Sequence, residues 1–364
     1  MGKVDIIGVR GIPNKYGGFE RCVEVLAPYL ARRGYEVTVF CEASTTDELP
    51  DDEWKGVRRR YVRRHAQGPL GTIEYDARAF AQVRKDAVAL IFGYGTAVFQ
   101  SLLKARGVPH AVNMDGMEWK RNKWSGQGRI WLRANEWVAA AAADILIADH
   151  PAIRDDLKAR LGRDSKMIPY GVELSAPSGV VIDHEVLKRY GPRQFFLVIA
   201  RPEPENQVHV ILDAYERTQL DARMVIVGDF ESNQYGRDLR RRHATADFVG
   251  AIYDTAVLNE LRRRAMWYLH GHSVGGTNPS LIEAMSAGAM IAAHDNRFNR
   301  WVIGDDGVFF QHAEDLAQIL SEPIDGKRRE VLIAAARRSC EDRFLWSAIL
   351  RRYEEVIESL MRCL

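Results

Sequence analysis

The chain has 364 residues, 46% of them hydrophobic and 27% charged, a balance that excludes disordered, collagen-like and small disulfide-stapled chains. Lys plus Arg number 51 against 49 Asp plus Glu, so overall charge gives no case for a nucleic-acid partner and leaves any basic surface local. Cys22, Cys41, Cys340 and Cys363 are far apart and form no C-x-x-C pair, which favours reduced thiols in a cytoplasmic protein over a metal site or a bridge framework.

No apolar run reaches the ~18 residues that cross a bilayer. The longest, WVAAAAADILIAD, is interrupted by Asp144, and VDIIGV near the start is too short for a signal core. The chain is expected to be cytoplasmic, with any membrane attachment peripheral.

In chain order, β-branched runs alternate with amphipathic stretches. The first half offers strands at VDIIGV (from Val4), EVTVFCE (Glu36), VALIFGY (Val88), HAVNMD (His110), ILIAD (Ile145) and KMIPYG (Lys166). Helical stretches such as GFERCVEVLAPYLARRG and WLRANEWVAAAAAD lie between them. The second half repeats the scheme with FFLVIA (Phe195), MVIVGD (Met224), DFVGA (Asp247), WYLHG (Trp267), MIAAHD (Met290) and GVFFQ (Gly307). Near-continuous apolar strands separated by helices predict an α/β fold of two tandem doubly wound parallel sheets. The Pro, Gly and Ser around Ala176–Asp183 place a linker there. The first domain is thus expected over 1–175 and the second over 184–344. LWSAILRRYEEVIESLMRCL, covering 345–364, reads as one closing amphipathic helix. Ligands of such sheets sit beyond the carboxyl ends of the strands, so two such domains imply a cleft whose strand–loop junctions carry the chemistry.

Four junctions stand out. After VDIIGV, the segment Arg10–Glu20 holds Gly17 and Gly18 before a helix, an anion-binding arrangement or an ordinary tight turn. It is neither G-x-G-x-x-G nor a P-loop, which weakens a nicotinamide reading. After HAVNMD comes Asp115, at a strand end facing the cleft or capping a helix. Beyond it Trp119, Trp124 and Trp131 mix with Lys120, Arg121, Lys123, Arg129 and Arg133, and a second basic run covers Lys55–Arg64. Tryptophan among basic residues suits an anionic membrane surface, otherwise a solvated face, and last a nucleic acid. After FFLVIA, Arg201 is placed to meet a diphosphate with its planar fork, or to pair with Glu203 or Glu205. Finally, Gly275, Gly276, Thr277, Asn278, Pro279 and Ser280 lead into a helix that should be capped by Asn278 and end at Gly288. Glu283, one turn in, can accept hydrogen bonds from vicinal hydroxyls or face solvent.

With these residues in view, the chain resembles the retaining family-4 glycosyltransferases of the GT-B fold, and within them a bacterial rhamnosyltransferase-like branch. The carriers are GVRGIPNKYGGFE, MDGMEWKRNKW, ARPEPENQ and HGHSVGGTNPSLIEAM. The resemblance spans nearly the whole chain. It implies two Rossmann-like domains, a final helix crossing back to the first, an acceptor at the first domain and a nucleotide-sugar donor held by the second. It assigns Arg201 to the donor diphosphate and Glu283, the second glutamate of an E-x7-E signature, to the ribose. Asn206 stands where many relatives have a lysine, Gly275 where the signature has its first glutamate, and Asp115 where many have a histidine beside the sugar's C6. The last departure fits a 6-deoxy sugar, such as rhamnose from dTDP-rhamnose.

The resemblance also implies same-face attack with a donor phosphate oxygen taking the acceptor proton. No cofactor and no metal is expected, since no D-x-D is present. Arg201 and the helix tips at Gly17–Gly18 and Gly276–Asn278 would carry the leaving-group charge. The expected acceptor is lipid-linked or a growing surface polysaccharide, with Trp119, Lys120, Arg121 and Trp124 on the acceptor or membrane side. A UDP- or GDP-sugar donor, a nucleotide-sugar epimerase, an NAD-dependent oxidoreductase and a membrane scaffold are the alternatives.

Overall fold

The computed structural model describes residues 2–364 except 15, 45–49, 115, 121–123, 125, 176–181 and 219. The chain forms two compact units, Met1–Tyr170 with Ser347–Leu364, and Gly171–Trp346.

The strands of the first unit are β1 Lys3–Ile7, β2 Glu36–Ala43, β3 Asp52–Trp54, β4 Val57–Arg63, β5 Val88–Phe92, β6 His110–Met114, β7 Ile145–Ala148 and β8 Lys166–Met167. They lie in the order β3-β4-β2-β1-β5-β6-β7-β8. Every pairing is parallel except the β3–β4 hairpin. All of β5 and β6 is buried, as expected for a sheet covered on both faces.

β3 and β4 have no apolar signature and are not foreseen above. The hairpin turns on Lys55 and Gly56, both at positive φ, the pattern of a two-residue turn whose twist suits flanking strands. The basic run Lys55–Arg64 is therefore mostly a strand near the sheet edge, and much of its charge is paired. Arg58 and Arg60 bond Asp51, Arg59 bonds Asp52, and Arg64 bonds Glu42. Lys55 and Arg63 are the cations of the run without a carboxylate partner among the described residues.

The second unit carries β9 Phe195–Ile199, β10 Arg223–Val227, β11 Asp247–Gly250, β12 Trp267–His270, β13 Ile291–His294 and β14 Val308–Phe310. The order is β11-β10-β9-β12-β13-β14, all parallel. This is the doubly wound order whose switch point lies between β9 and β12. Phe196, Val198, Met224, Ile226 and Leu269 form the centre of its core with Ile211 and Leu212 from the covering helix Val208–Arg217.

The division between units falls at Tyr170, ahead of the expected linker. Val172 bridges Leu345, and the Ser175 amide donates to Ser286 Oγ at 2.9 Å, which binds 171–175 to the second unit. The final helix, Trp346–Met361, returns to the first unit. There Asn113 Nδ2 donates to Tyr353 Oη at 2.8 Å, while Tyr29 Oη and Arg33 Nε donate to Glu354 at 2.6 and 2.9 Å. Among the described residues no helix is long and apolar enough to cross a membrane. All four cysteines are free, and burial pushes the thiols of Cys22 and Cys340 up to about 12, so neither is a nucleophile at neutral pH.

Candidate donor-binding site

The two loops at the switch point of the second sheet follow β9 and β12. They are tied together: the amide and Oγ of Ser273 both donate to the Glu205 carbonyl at 2.9 Å. A Cβ on Gly271 would lie 2.3 Å from the Asn206 carbonyl oxygen. Only glycine lets the loops approach this closely. Gly271 and Ser273 are thus structural members of the site that sequence reading did not single out.

Arg201 is exposed at the carboxyl end of β9. Its guanidinium makes no ion pair or hydrogen bond among the described residues, so the alternative pairing with Glu203 or Glu205 is not found. The backbone beneath it is fixed instead. The Arg201 carbonyl accepts from the Glu203 amide at 2.8 Å and from Asn206 Nδ2 at 2.9 Å. Asn206 is buried. Its amide holds the loop rather than replacing the cation that relatives carry there.

Beyond β12, Asn278 caps the helix Pro279–Ser286 with its Oδ1 on the Ser280 amide at 3.0 Å, and Pro279 opens the helix. Gly288, at φ +72, stands one residue past the Ala287 cap. The Leu281 amide already donates to the Asn278 carbonyl. Cap and turn have therefore consumed the first helical donors. The amides of Gly275, Gly276 and Asn278 carry no hydrogen bond among the described residues, and Gly275 sits at φ +137 with open space where a Cβ would be. Donors for an anion thus come from the glycine loop more than from the helix turn. Thr277 is buried, and Ser280 Oγ is 2.5 Å from Tyr268 Oη.

Glu283 is not a solvent-facing carboxylate. Arg262 Nη2 donates to its Oε2 at 2.6 Å, from a side chain only 1% exposed. Nothing in the LRRR run marks Arg262 apart from Arg263 and Arg264, which pair with Glu260.

His270 closes β12. It is buried, both its ring nitrogens lack partners among the described residues, and its ring stacks on His272 at 4.3 Å. Burial, then the neighbouring His272, His294 and Arg262, hold it well below the ordinary histidine value. The folded state therefore keeps it neutral while the unfolded chain takes up a proton near pH 6.5. Stability is complete above that pH and falls as pH drops through it. We expect His270 alone to cost about 0.8 kcal/mol between pH 7.5 and 6.0. His110, His209 and His294 are also lowered by burial and add to the loss. Asp76, raised by burial to about 6, opposes it at the acid end. Urea midpoints at the two pH values check this, and an unchanged midpoint contradicts it.

In the first unit, Gly17 and Gly18 lead the helix Gly18–Arg32, where the amides of Gly18 and Phe19 are unbonded among the described residues. The same tip holds buried Glu20, whose Oε1 accepts from the Arg10 amide at 3.0 Å. Its carboxylate lies 3.3 Å from where a Gly17 Cβ would be. A carboxylate fixed this close to the tip opposes a second anion there by like-charge repulsion.

Asp115 and Arg121 lie outside the described residues. Trp119 is enclosed by Lys120, Arg133 and Arg160, at 5.2, 4.9 and 5.4 Å from its ring. Trp124 Nε1 donates to Glu118 Oε1 at 3.3 Å. The exposed apolar side chains sit one element further on. In the helix Gly126–Ala142, Ile130 and Trp137 are 71% and 64% exposed. They lie seven residues apart, on one helix face. No carboxylate among the described residues pairs with Arg129 or Arg133. No group of three or more His, Cys, Asp or Glu among the described residues could hold a metal ion.

Residues 182–339 match the model of Glycosyl transferases group 1, and residues 1–173 match a domain of unknown function, DUF1972. No curated protein sequence matches the chain. Among solved structures, sucrose-phosphate synthase from Thermosynechococcus elongatus is similar with a TM-score of 0.83 at 17% identity, covering 100% of both chains. Anabaena HepE in complex with UDP and glucose is similar with a TM-score of 0.75 at 18% identity, over 99% of this chain and 100% of that one. The UDP-forming α,α-trehalose-phosphate synthase from Burkholderia vietnamiensis gives a TM-score of 0.74 at 13% identity, over 100% and 99%. The structural likeness makes the fold GT-B, and residues 182–339 of the second unit carry a group 1 glycosyltransferase domain.

Proposed function

We propose that the chain moves a sugar, with retention of configuration and without a metal ion, from a nucleotide-sugar donor to a lipid-linked or growing polysaccharide acceptor at the inner membrane face. The observation that carries this reading is Arg201, a cation with no ion pair or hydrogen bond among the described residues, in a switch-point loop tied to the one that holds the amides of Gly275, Gly276 and Asn278, which are also unbonded among those residues. A diphosphate supplies the complementary charge. As the sugar departs, negative charge grows on the leaving phosphate, and preorganised donors stabilise it without reorganising. Glu283 takes the nucleotide's ribose. Asp115 is assigned to the transferred sugar by resemblance, and a donor phosphate oxygen receives the acceptor's proton. Trp119, Lys120, Arg121 and Trp124 form the acceptor side. The proposed donor is dTDP-rhamnose. UDP- and GDP-sugars are the runners-up, and the HepE structure in complex with UDP-glucose supports the UDP alternative.

The membrane reading is supported by Ile130 and Trp137 beside Arg129 and Arg133. An apolar ridge with cations suits an anionic headgroup layer.

A thermal-shift panel of nucleotide sugars tests the donor. We expect dTDP-rhamnose to raise Tm most, whereas a response to NAD alone would overturn the reading. Flotation with vesicles containing anionic lipid tests the surface. We expect binding that is lost in an Ile130→Ser, Trp137→Ser double variant. Equal binding by the variant would remove this helix from the interface.

A further inference from the structure

The pairing of Arg262 with Glu283 bears on which nucleotides the site accepts, given the proposed contact between Glu283 and the ribose. Arg262 is the eighth residue of the helix Thr255–Arg264, which follows β11, and Glu283 is the fifth of Pro279–Ser286, which follows β12. Both helices start at the carboxyl edge of the sheet. At about 1.5 Å per residue, Arg262 lies deeper below that edge than Glu283. Its guanidinium therefore reaches the carboxylate from the protein side. Nη2 takes Oε2 at 2.6 Å, while Nη1 donates to Asn259 Oδ1 at 3.0 Å. Glu283 keeps Oε1 for a ligand.

A carboxylate grips a vicinal diol with both oxygens, one per hydroxyl. An oxygen already engaged in a charge-assisted bond with a buried cation has one lone pair and part of its charge committed, which weakens it as a second acceptor. We propose that Arg262 is a positioning residue that sets nucleotide specificity by restricting Glu283 to one ribose hydroxyl. The site then tolerates loss of the other. If the dispensable hydroxyl is the 2′ one, a thymidine-type donor binds as readily as a uridine-type donor.

Calorimetry on the full chain with UDP, 2′-deoxy-UDP and 3′-deoxy-UDP tests this. One deoxy analogue should bind within threefold of UDP, and the other about tenfold more weakly or worse, as expected for losing a hydrogen bond to a charged group. Tenfold losses for both analogues mean a two-hydroxyl grip and overturn the proposal while leaving Glu283 at the ribose. No loss for either, or no binding of any of the three, overturns the proposal together with the ribose assignment. In Arg262→Met, which removes the donor to Oε2, the tolerated analogue should bind at least fivefold more weakly than UDP, because Oε2 is released. An unchanged ratio in the folded variant also overturns it. A residue that merely held the fold together would shift all three affinities alike.

Discussion

Replacing Arg201 with alanine is expected to lower kcat/KM for the donor about 100-fold or more. The size follows from removing one preorganised donor aimed at a developing oxyanion, roughly 3 kcal/mol of transition-state stabilisation. Arg201 should show this effect with little loss of stability. Its guanidinium has no partner among the described residues, and the loop beneath it is held by backbone and Asn206 contacts that the substitution leaves in place. Steady-state kinetics with the unfolding temperature measured alongside separate the two. Kinetics within threefold of the parent would remove Arg201 from the site.

Glu283→Ala should have the opposite profile, with a large structural cost. It leaves the Arg262 guanidinium buried without its carboxylate. Breaking a buried pair from one side costs about 3–5 kcal/mol, or a Tm loss on the order of 10 °C for a unit of this size. Glu283→Gln keeps an acceptor for Arg262 and should cost less. The double change Arg262→Met, Glu283→Leu should recover most of the stability, since neither charge is then buried alone. A Tm within 2 °C of the parent for Glu283→Ala would show that the pair has no such weight. The comparison also warns that activity lost in Glu283 variants must be corrected for unfolded protein.

The strands that formed the expected list are those with β-branched, nearly uninterrupted runs, and their order in the second unit places the switch-point loops where Arg201 and Gly275 were sought. β4 escaped because RRRYVR hides a strand near the sheet edge behind arginines, whose long side chains reach acids elsewhere in the chain. Periodicity does not encode such pairs. Asn206 illustrates a different limit. A substitution at a familiar position reads as a missing charge, but its role as a clamp on the Arg201 carbonyl exists only once the loop is folded. Arg262 was illegible for a related reason, because burial in a run of three arginines is decided by helix phase and by a partner 21 residues away. The tryptophans show that composition leaves the exposure of each ring undecided. Trp119 has the basic company that suggests an exposed face, and those same cations cover it, whereas Trp137 stands out in a helix that reads as ordinary.

The return of Trp346–Met361 to the first unit makes the second an insertion within the first. Order of synthesis then differs from order of completion. While the chain leaves the ribosome, residues 171–346 have their whole sheet available before the partners of Asn113, Tyr29 and Arg33 are made. The N-terminal lobe, begun earliest, is the last to be finished, and a nascent chain halted before Ser347 leaves bare the apolar surface against which Ile349, Tyr353, Ile357 and Leu360 are buried, an aggregation-prone state.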